Sequence, residues 1–337
     1  MLKKIYFNQK KQFHRKKKNK KIIFEKKEYN SKILKSFALF ILGFLFSLEL
    51  IFFYNKENLY NEQKTKVCLC AIAKKENLYI KFFIEYYKKL GYDHIFLYDN
   101  NDVNDEKIED EIKNYIDDNF VTLIDFRGYR GPKNSPQMEA FYDCYDKNNK
   151  NYNWISFFDI DEYLVLRPEG IKIQQFLNNE RYKNCPIVKF NWLVFNDNDQ
   201  IEYENKTFIE RFTTKTKWLN SAKTIKSIIR GNLSLINATK SYSPHNVYLG
   251  IKSCTSSGLP AEEGAFHSPP DYKYGELRHY TRTMSEFVNK LKRGIATSSF
   301  ELSNLTLRES FNHFFDHNIK TEEKVKIFNK AFNTDFK

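Results

Sequence analysis

Several common signatures of chemistry are missing from this 337-residue sequence. It has no P-loop lysine motif and no His-rich two-metal cluster, which argues against a metal-dependent phosphoryl transferase or nuclease. Its five cysteines, Cys68, Cys70, Cys144, Cys185 and Cys254, show none of the zinc-ligand spacings. Cys68-Leu69-Cys70 reads as alternate residues of a strand pointing to one face. The cysteines are therefore expected as small buried hydrophobes, with one disulfide possible in an oxidising compartment. No internal repeat is present, and no linker splits residues 66–337.

A basic body is lacking as well. The net charge is +13, but residues 1–35 hold fourteen Lys and Arg against only Glu25 and Glu28. That arm accounts for about +12 of the total, so the rest of the chain is close to neutral. A neutral body has no basic stripe for reading nucleic acid, and no nucleic-acid partner is expected. Aromatic residues make up 17% and charged residues 29% of the chain, which fits a globular core rather than disorder.

What is present begins directly after the basic arm. Ser36–Tyr54 is an apolar run of nineteen residues interrupted only by Glu49 near its far end, the length that crosses a bilayer core as a helix. A cleaved signal peptide is the alternative. The basic region is long for that role, and no small-x-small cleavage site follows. A soluble core helix would need a polar face that the run lacks. The Lys/Arg excess puts residues 1–35 in the cytoplasm and the remainder across the membrane, a type II signal-anchor arrangement. Residues 55–65 are then a short stem and residues 66–337 the folded domain. Sequons at Asn205, Asn232, Asn237 and Asn304 are compatible with a lumenal location, although a chain this rich in Asn supplies some by chance.

From Val67 the pattern alternates between strand and helix. Val67–Ala73, His94–Tyr98, Val121–Asp125 and Trp154–Phe158 read as strands. Asn77–Leu90 reads as a helix with Leu78, Phe82, Tyr86 and Leu90 on its apolar face and Gly91 as its stop. Residues 105–119 read as a charged surface helix. Residues 135–148 carry Met138, Phe141, Tyr142 and Tyr145 on one face. These alternations predict an α/β domain with a mainly parallel sheet and helices on both sides. Ile187–Phe195 and Phe208–Phe212 are further expected strands. Residues 233–270 are expected as loop and short strand, and residues 285–293 as a helix stopped by Gly294.

In parallel α/β sheets, ligands bind beyond the carboxyl ends of the strands. Two of those ends carry acids: Asp99 after the second strand, and Asp159 and Asp161 after the fourth. Alternate residues of an extended segment point the same way, so Asp159 and Asp161 can approach one hard cation. Mg²⁺ or Mn²⁺ suits such oxygen ligands and keeps open positions for substrate phosphates. Asp-x-Asp by itself also occurs in solvated acidic turns and helix caps.

The stretch Phe158-Asp-Ile-Asp-Glu-Tyr163 resembles the D-x-D-E-F/Y core of GT-A glycosyltransferases, in particular family 92 and its family-2-like relatives. Other segments match in order. Residues 77–102, with Tyr98-Asp99-Asn100, resemble the family's block ending Y-D-N. Gln137–Cys144 resembles its Q-x-x-A-Y-x-x-C helix, and Ile209–Thr213 an I-E-R-F-T strand. Lys223–Ile229 resembles K-S-I before a strand, and His279-Tyr-Thr-Arg-Thr with Lys292-Arg-Gly resembles the terminal His-Tyr block. The likeness covers about residues 67–294. It departs at Ala73-Lys-Lys-Glu-Asn, where Asn-Glu is usual, in the loop after Trp192, and in spacing after Tyr280.

The resemblance implies a GT-A, Rossmann-like fold and a metal-dependent, inverting transfer of a hexose such as galactose from a nucleotide-sugar donor to a glycan or glycoconjugate. Asp159 and Asp161 would hold Mn²⁺ or Mg²⁺ and the donor diphosphate. Asp99 would meet base or ribose, with Glu76 nearby, while Gln137 would line the donor site and Lys226 would meet phosphate. Asp197 or Asp199 would be the base in the acceptor loop. His279 would be the third metal ligand or a diphosphate contact, with His245 and His267 as lesser alternatives. A type II protein of this kind sits in the Golgi or endoplasmic reticulum of a eukaryote, or at the inner membrane of a bacterium. The competing class is a catalytically silent glycan-binding or scaffold domain, against which the intact Asp-x-Asp and His-Tyr block speak.

Overall fold

Strand β1 (Val67–Ala73) is buried along its whole length and explains the layering around it. Val67, Leu69, Ala71 and Ala73 enter one hydrophobic cluster, and Cys68, Cys70 and Ile72 enter another. A strand covered on both faces needs an unbroken apolar sequence, and Val-Cys-Leu-Cys-Ala-Ile-Ala supplies it. This computed structural model describes residues 65–129, 135–217, 220–235, 238–292 and 304–337, together with Gly43, Phe44 and Ser47. Thr65–Lys337 forms one compact unit.

The other strands are β2 (His94–Asp99), β3 (Val121–Asp125), β4 (Trp154–Phe157), β5 (Glu162–Leu166), β6 (Ile187–Phe195), β7 (Ile225–Arg230), the short β8 (Thr239–Lys240), β9 (Tyr248–Leu249) and β10 (Ser253–Cys254), and β11 (Gly275–Tyr280). The main sheet runs β3-β2-β1-β4-β7-β6-β11-β5, with β10 beside β6. β3, β2, β1 and β4 are parallel throughout. The expected parallel sheet is thus its first half. In the second half β7 is antiparallel to both β4 and β6, β11 is parallel to β6, and β5 is antiparallel to β11. The fold is mixed α/β.

Helix α1 (Asn77–Leu90) ends as expected at Gly91, whose φ of 101° is left-handed. Its buried stripe is not the expected one. Tyr79, Ile80, Phe83, Ile84 and Tyr87 face the core, and Leu78 is 56% exposed. The i, i+1, i+4, i+5, i+8 set buries more apolar area than a strict four-residue step, so the helix turns that face inward. Helices α2 (Ile108–Asp117) and α3 (Pro136–Asn148) follow expectation, and Met138, Phe141, Tyr142 and Tyr145 are all buried. A short α4 (Ile173–Leu177) comes next.

The expected strand at Phe208–Phe212 is instead a helical turn, α5 (Phe208–Arg211). Thr207 accepts from the Glu210 amide, while Glu210 accepts from the Thr207 amide. This Thr-x-x-Glu capping box overrides the β preference of the aromatic run.

Helix α6 (Met284–Lys292) lies where a helix was expected, and Gly294 lies outside the described residues. Beyond it, α7 (Asn304–His317) and α8 (Glu322–Phe332) pack on α6 through a third cluster containing Met284, Phe311, Phe314 and Phe328.

Two disulfides are present where one was expected as possible. Cys70–Cys144 ties β1 to α3, and Cys185–Cys254 ties the approach to β6 to β10, while Cys68 is a buried free thiol. The expected basic arm, anchor and stem at residues 1–64 lie outside the described residues, apart from helical Gly43, Phe44 and Ser47. Among the described residues, no helix is long and apolar enough to cross a membrane.

Candidate active site

Strand directions collect charged residues at one edge of the sheet. β1, β2, β3, β4, β6 and β11 all end there, and β5 and β7 begin there. That edge therefore receives Glu76 after β1, Asp99 at the end of β2, Asp159 and Asp161 after β4, Glu162 at the start of β5, Asp197 after β6, Lys226 at the start of β7 and Arg282 after β11.

Asp159 and Asp161 point to different partners. Gln137 Nε2 donates to Asp159 Oδ1 at 2.6 Å, and Lys226 Nζ lies 3.0 Å from the same oxygen. Lys226 has no exposed side-chain surface and also lies 3.6 Å from Glu162 Oε2. Burial alone would lower its pKa, but Asp159 and Glu162 outweigh burial and hold the ammonium charged. Glu162 in turn accepts from the Asp159 amide at 2.9 Å and from the Trp192 indole at 2.9 Å. The third acid of the turn thus holds the backbone of Asp159, the first residue of the motif.

Asp161 is buried, and its Oδ2 meets Lys290 Nζ at 3.2 Å and Arg282 Nη2 at 3.3 Å. Burial pushes its carboxyl up, but Lys290, Arg282 and His279 outweigh burial and hold it far below the usual carboxylate range. Arg282 Nη2 is shared with Glu76 Oε2 at 2.9 Å. His279 Nε2 stands 3.8 Å from Asp161 Oδ1. The His279 ring stacks on Trp192 with centroids 4.0 Å apart and planes 4° from parallel. Burial drives its pKa down to about 3, against the pull of Asp161, so the imidazole is neutral at physiological pH and keeps a lone pair.

Among the described residues, no three His, Cys, Asp or Glu side chains converge as a metal cluster. Asp159 turns toward Lys226 and Asp161 toward Arg282 and Lys290, because unshielded carboxylates seek the nearest cation. The donor set still suits Mn²⁺ or Mg²⁺. Two acidic residues flank the turn, a neutral imidazole faces one of them, and the buried His279 Nδ1 has no hydrogen-bond partner among the described residues.

Other expected residues have other contacts. Asp99 Oδ2 pairs with Arg127 Nη1 at 3.1 Å, and Arg127 donates to the carbonyls of Asp102, Val103, Asp105 and Glu106. Asp99 therefore anchors the loop after β2. Asp197 is fully buried with Lys324 Nζ at 2.9 Å, and Asp199, half exposed, takes the same ammonium at 2.8 Å. His245 edges onto Trp192 at 5.1 Å, and burial lowers its pKa to about 4. His267 meets the Glu262 amide instead. Arg282, Lys290 and Trp192 were not singled out from the sequence, although Arg282 stands inside the His-Tyr block. Only the fold shows what they touch.

A mixed α/β domain with an acidic turn at its carboxyl edge, countered by buried cations and faced by histidine, is the class that fold and site define. The chain belongs to glycosyltransferase family 92, whose family model matches residues 63–328. A family 92 protein of Ricinus communis is 26% identical over 119 residues, covering 35% of this chain and 20% of that relative. One from Oryza sativa subsp. japonica is 28% identical over 130 residues, covering 39% and 21%. One from Arabidopsis thaliana is 28% identical over 119 residues, covering 34% and 20%. The matched segments thus span about a fifth of each relative's length. Among solved structures, S. aureus TarS 1–349 in complex with UDP-GlcNAc is 10% identical with a TM-score of 0.37, over 80% of this chain and 72% of that one.

Proposed function

We propose that this chain is a GT-A glycosyltransferase that moves a sugar, a hexose such as galactose, from a nucleotide-diphosphate donor to a glycan or glycoconjugate, with inversion. The observation that carries the reading is the Asp159-Ile-Asp-Glu162 turn facing His279 at the carboxyl edge of a parallel half-sheet, in a chain of family 92. Mn²⁺ or Mg²⁺ would be held by Asp159, Asp161 and His279, and when bound it supplies Lewis-acid charge for the departing diphosphate.

The chain's own residues do the positioning. Gln137 and Lys226 orient Asp159, Glu162 holds the turn, and Trp192 fixes the His279 ring. Glu76 enters the site through Arg282, and Asp99 through the loop it anchors. Inversion needs a base at the acceptor hydroxyl. Of Asp197 and Asp199, only Asp199 reaches solvent.

The reading includes a type II membrane anchor at residues 36–54, a cytoplasmic arm at 1–35 and the folded unit on the far side, in the Golgi or endoplasmic reticulum lumen of a eukaryote or outside the inner membrane of a bacterium. Two disulfides suit an oxidising far side, and the sequon residues Asn205 and Asn232 are exposed.

A donor-hydrolysis screen against a panel of nucleotide sugars, with and without Mn²⁺, tests the activity. Mn²⁺-dependent hydrolysis of one donor is expected, and Asp159→Asn should reduce it by about 100-fold or more. Near-normal, metal-dependent turnover in that variant would remove the site assignment.

A further inference from the structure

We propose that Lys290 is the diphosphate-binding cation of this site, and that it neutralises Asp161 until a divalent ion takes its place. This inference rests on the glycosyltransferase reading and assigns the phosphate contact to a residue other than Lys226.

Three cations surround the acidic turn, and their freedom differs. Lys226 has no exposed side-chain surface and sits between Asp159 and Glu162 from within the sheet. An ammonium held that way reaches no phosphate entering from solvent. Arg282 is 8% exposed, its Nη2 shared between Glu76 and Asp161. Its guanidinium also lies over the rings of Tyr79 at 4.7 Å and Phe208 at 4.9 Å. A planar group fixed on several sides does not swing. Lys290, on α6, keeps 35% of its side chain exposed and approaches Asp161 Oδ2 at 3.2 Å. Its four-carbon stem is flexible and a third of the side chain stays open to solvent.

A divalent ion and an ammonium on one carboxylate repel each other at this range. Arg282 is fixed, so Lys290 is the cation that can leave when metal arrives. A diphosphate bound to that metal brings new negative charge within the reach of the same stem, and a charge-assisted hydrogen bond replaces the one given up. Lys290 therefore opposes binding of the bare metal and favours binding of the diphosphate. A merely structural lysine would move both affinities the same way.

The test uses the purified full chain with Lys290→Met and Lys290→Arg. Titration calorimetry would measure Mn²⁺ alone, then UDP and inorganic pyrophosphate at saturating Mn²⁺. For Lys290→Met, Mn²⁺ is expected to bind several-fold tighter, while UDP and pyrophosphate bind about ten-fold more weakly. Lys290→Arg should retain most of the diphosphate affinity, and it keeps the test open if the Met variant melts early. Affinities that fall together, or that do not change, would overturn the proposal, as would a wild type that takes up no Mn²⁺. A wild type that binds Mn²⁺ but neither UDP nor pyrophosphate would sink the glycosyltransferase reading and the diphosphate role, leaving the Mn²⁺ arm to decide the place-holding role alone.

Discussion

At Asp161, burial opposes ionisation and neighbouring charge restores it. Arg282 and Lys290 sit on one of its oxygens, so the carboxylate holds buried charge in place. Asp159, at 31% exposure, does less of this. Asp161→Asn takes a charge from two cations, leaving Arg282 to Glu76 alone and Lys290 without its carboxylate, and is expected to cost about 3 kcal/mol of stability. Asp159→Asn leaves the buried Lys226 with Glu162 and costs about 1 kcal/mol. Urea unfolding of the two variants checks the difference, and equal losses would contradict it. His94 makes a pH prediction. It is buried, bonds Thr122 Oγ1 through Nε2 at 2.8 Å, and burial holds its pKa below the usual value. The unfolded chain therefore takes up this proton first as pH falls. The contribution is intact above about pH 6.5 and is lost below it, at no more than about 1.4 kcal/mol per pH unit. His94→Phe should flatten that part of the stability profile, and an unchanged slope would show that His94 is not the group responsible.

Among the elements, the C-terminal helix pair carries the least expected contact. Lys324 on α8 reaches back to Asp197 and Asp199 in the loop after β6, and Asn318 Oδ1 accepts from the Asp197 amide at 2.8 Å. The last helices thereby fix the loop expected to meet acceptor. Lys324→Met would leave Asp197 buried without its cation, at a cost of about 3 kcal/mol. Faster proteolytic cleavage within residues 196–200 at native pH is the accompanying sign. Unchanged stability and cleavage would mean that the clamp contributes nothing. No element was expected over residues 295–337, although the helical periods of α7 and α8 are local. Their hold on the loop after β6 was hidden because Lys324 lies more than a hundred positions from Asp197 and Asp199. The strand expected at Phe208–Phe212 failed for a local reason. Thr207 and Glu210 spell a capping box in the sequence itself, and the aromatic run concealed it.

For the whole molecule, the proposed far-side placement of the folded unit requires oxidised disulfides and a domain shielded by the membrane. Peptide mapping without reductant should find Cys70 linked to Cys144 and Cys185 linked to Cys254, with Cys68 alkylated only after unfolding. Losing either bridge should cost about 2–4 kcal/mol. On sealed vesicles, residues 66–337 should resist protease until detergent is added. Digestion without detergent would sink both the anchor orientation and the lumenal placement.

The amino-acid sequence by itself determined the α/β alternation, because unbroken apolar strands and amphipathic helices are periodic signals within a few residues. It likewise marked the end of α1 at Gly91 and the acidic turn after β4, each a local pattern. The second half of the sheet was not legible, since β7 inserts antiparallel between β4 and β6, and β5 takes the sheet edge beside β11, a strand far along the chain. The partners of the acids were decided in the same way. Gln137, Asp159 and Lys226 meet because α3, the end of β4 and the start of β7 share one edge, and Arg282 joins Glu76 to Asp161 from the end of β11. A carboxylate's role depends on which cation it faces, and only the tertiary structure, by setting strand order and direction, decides that.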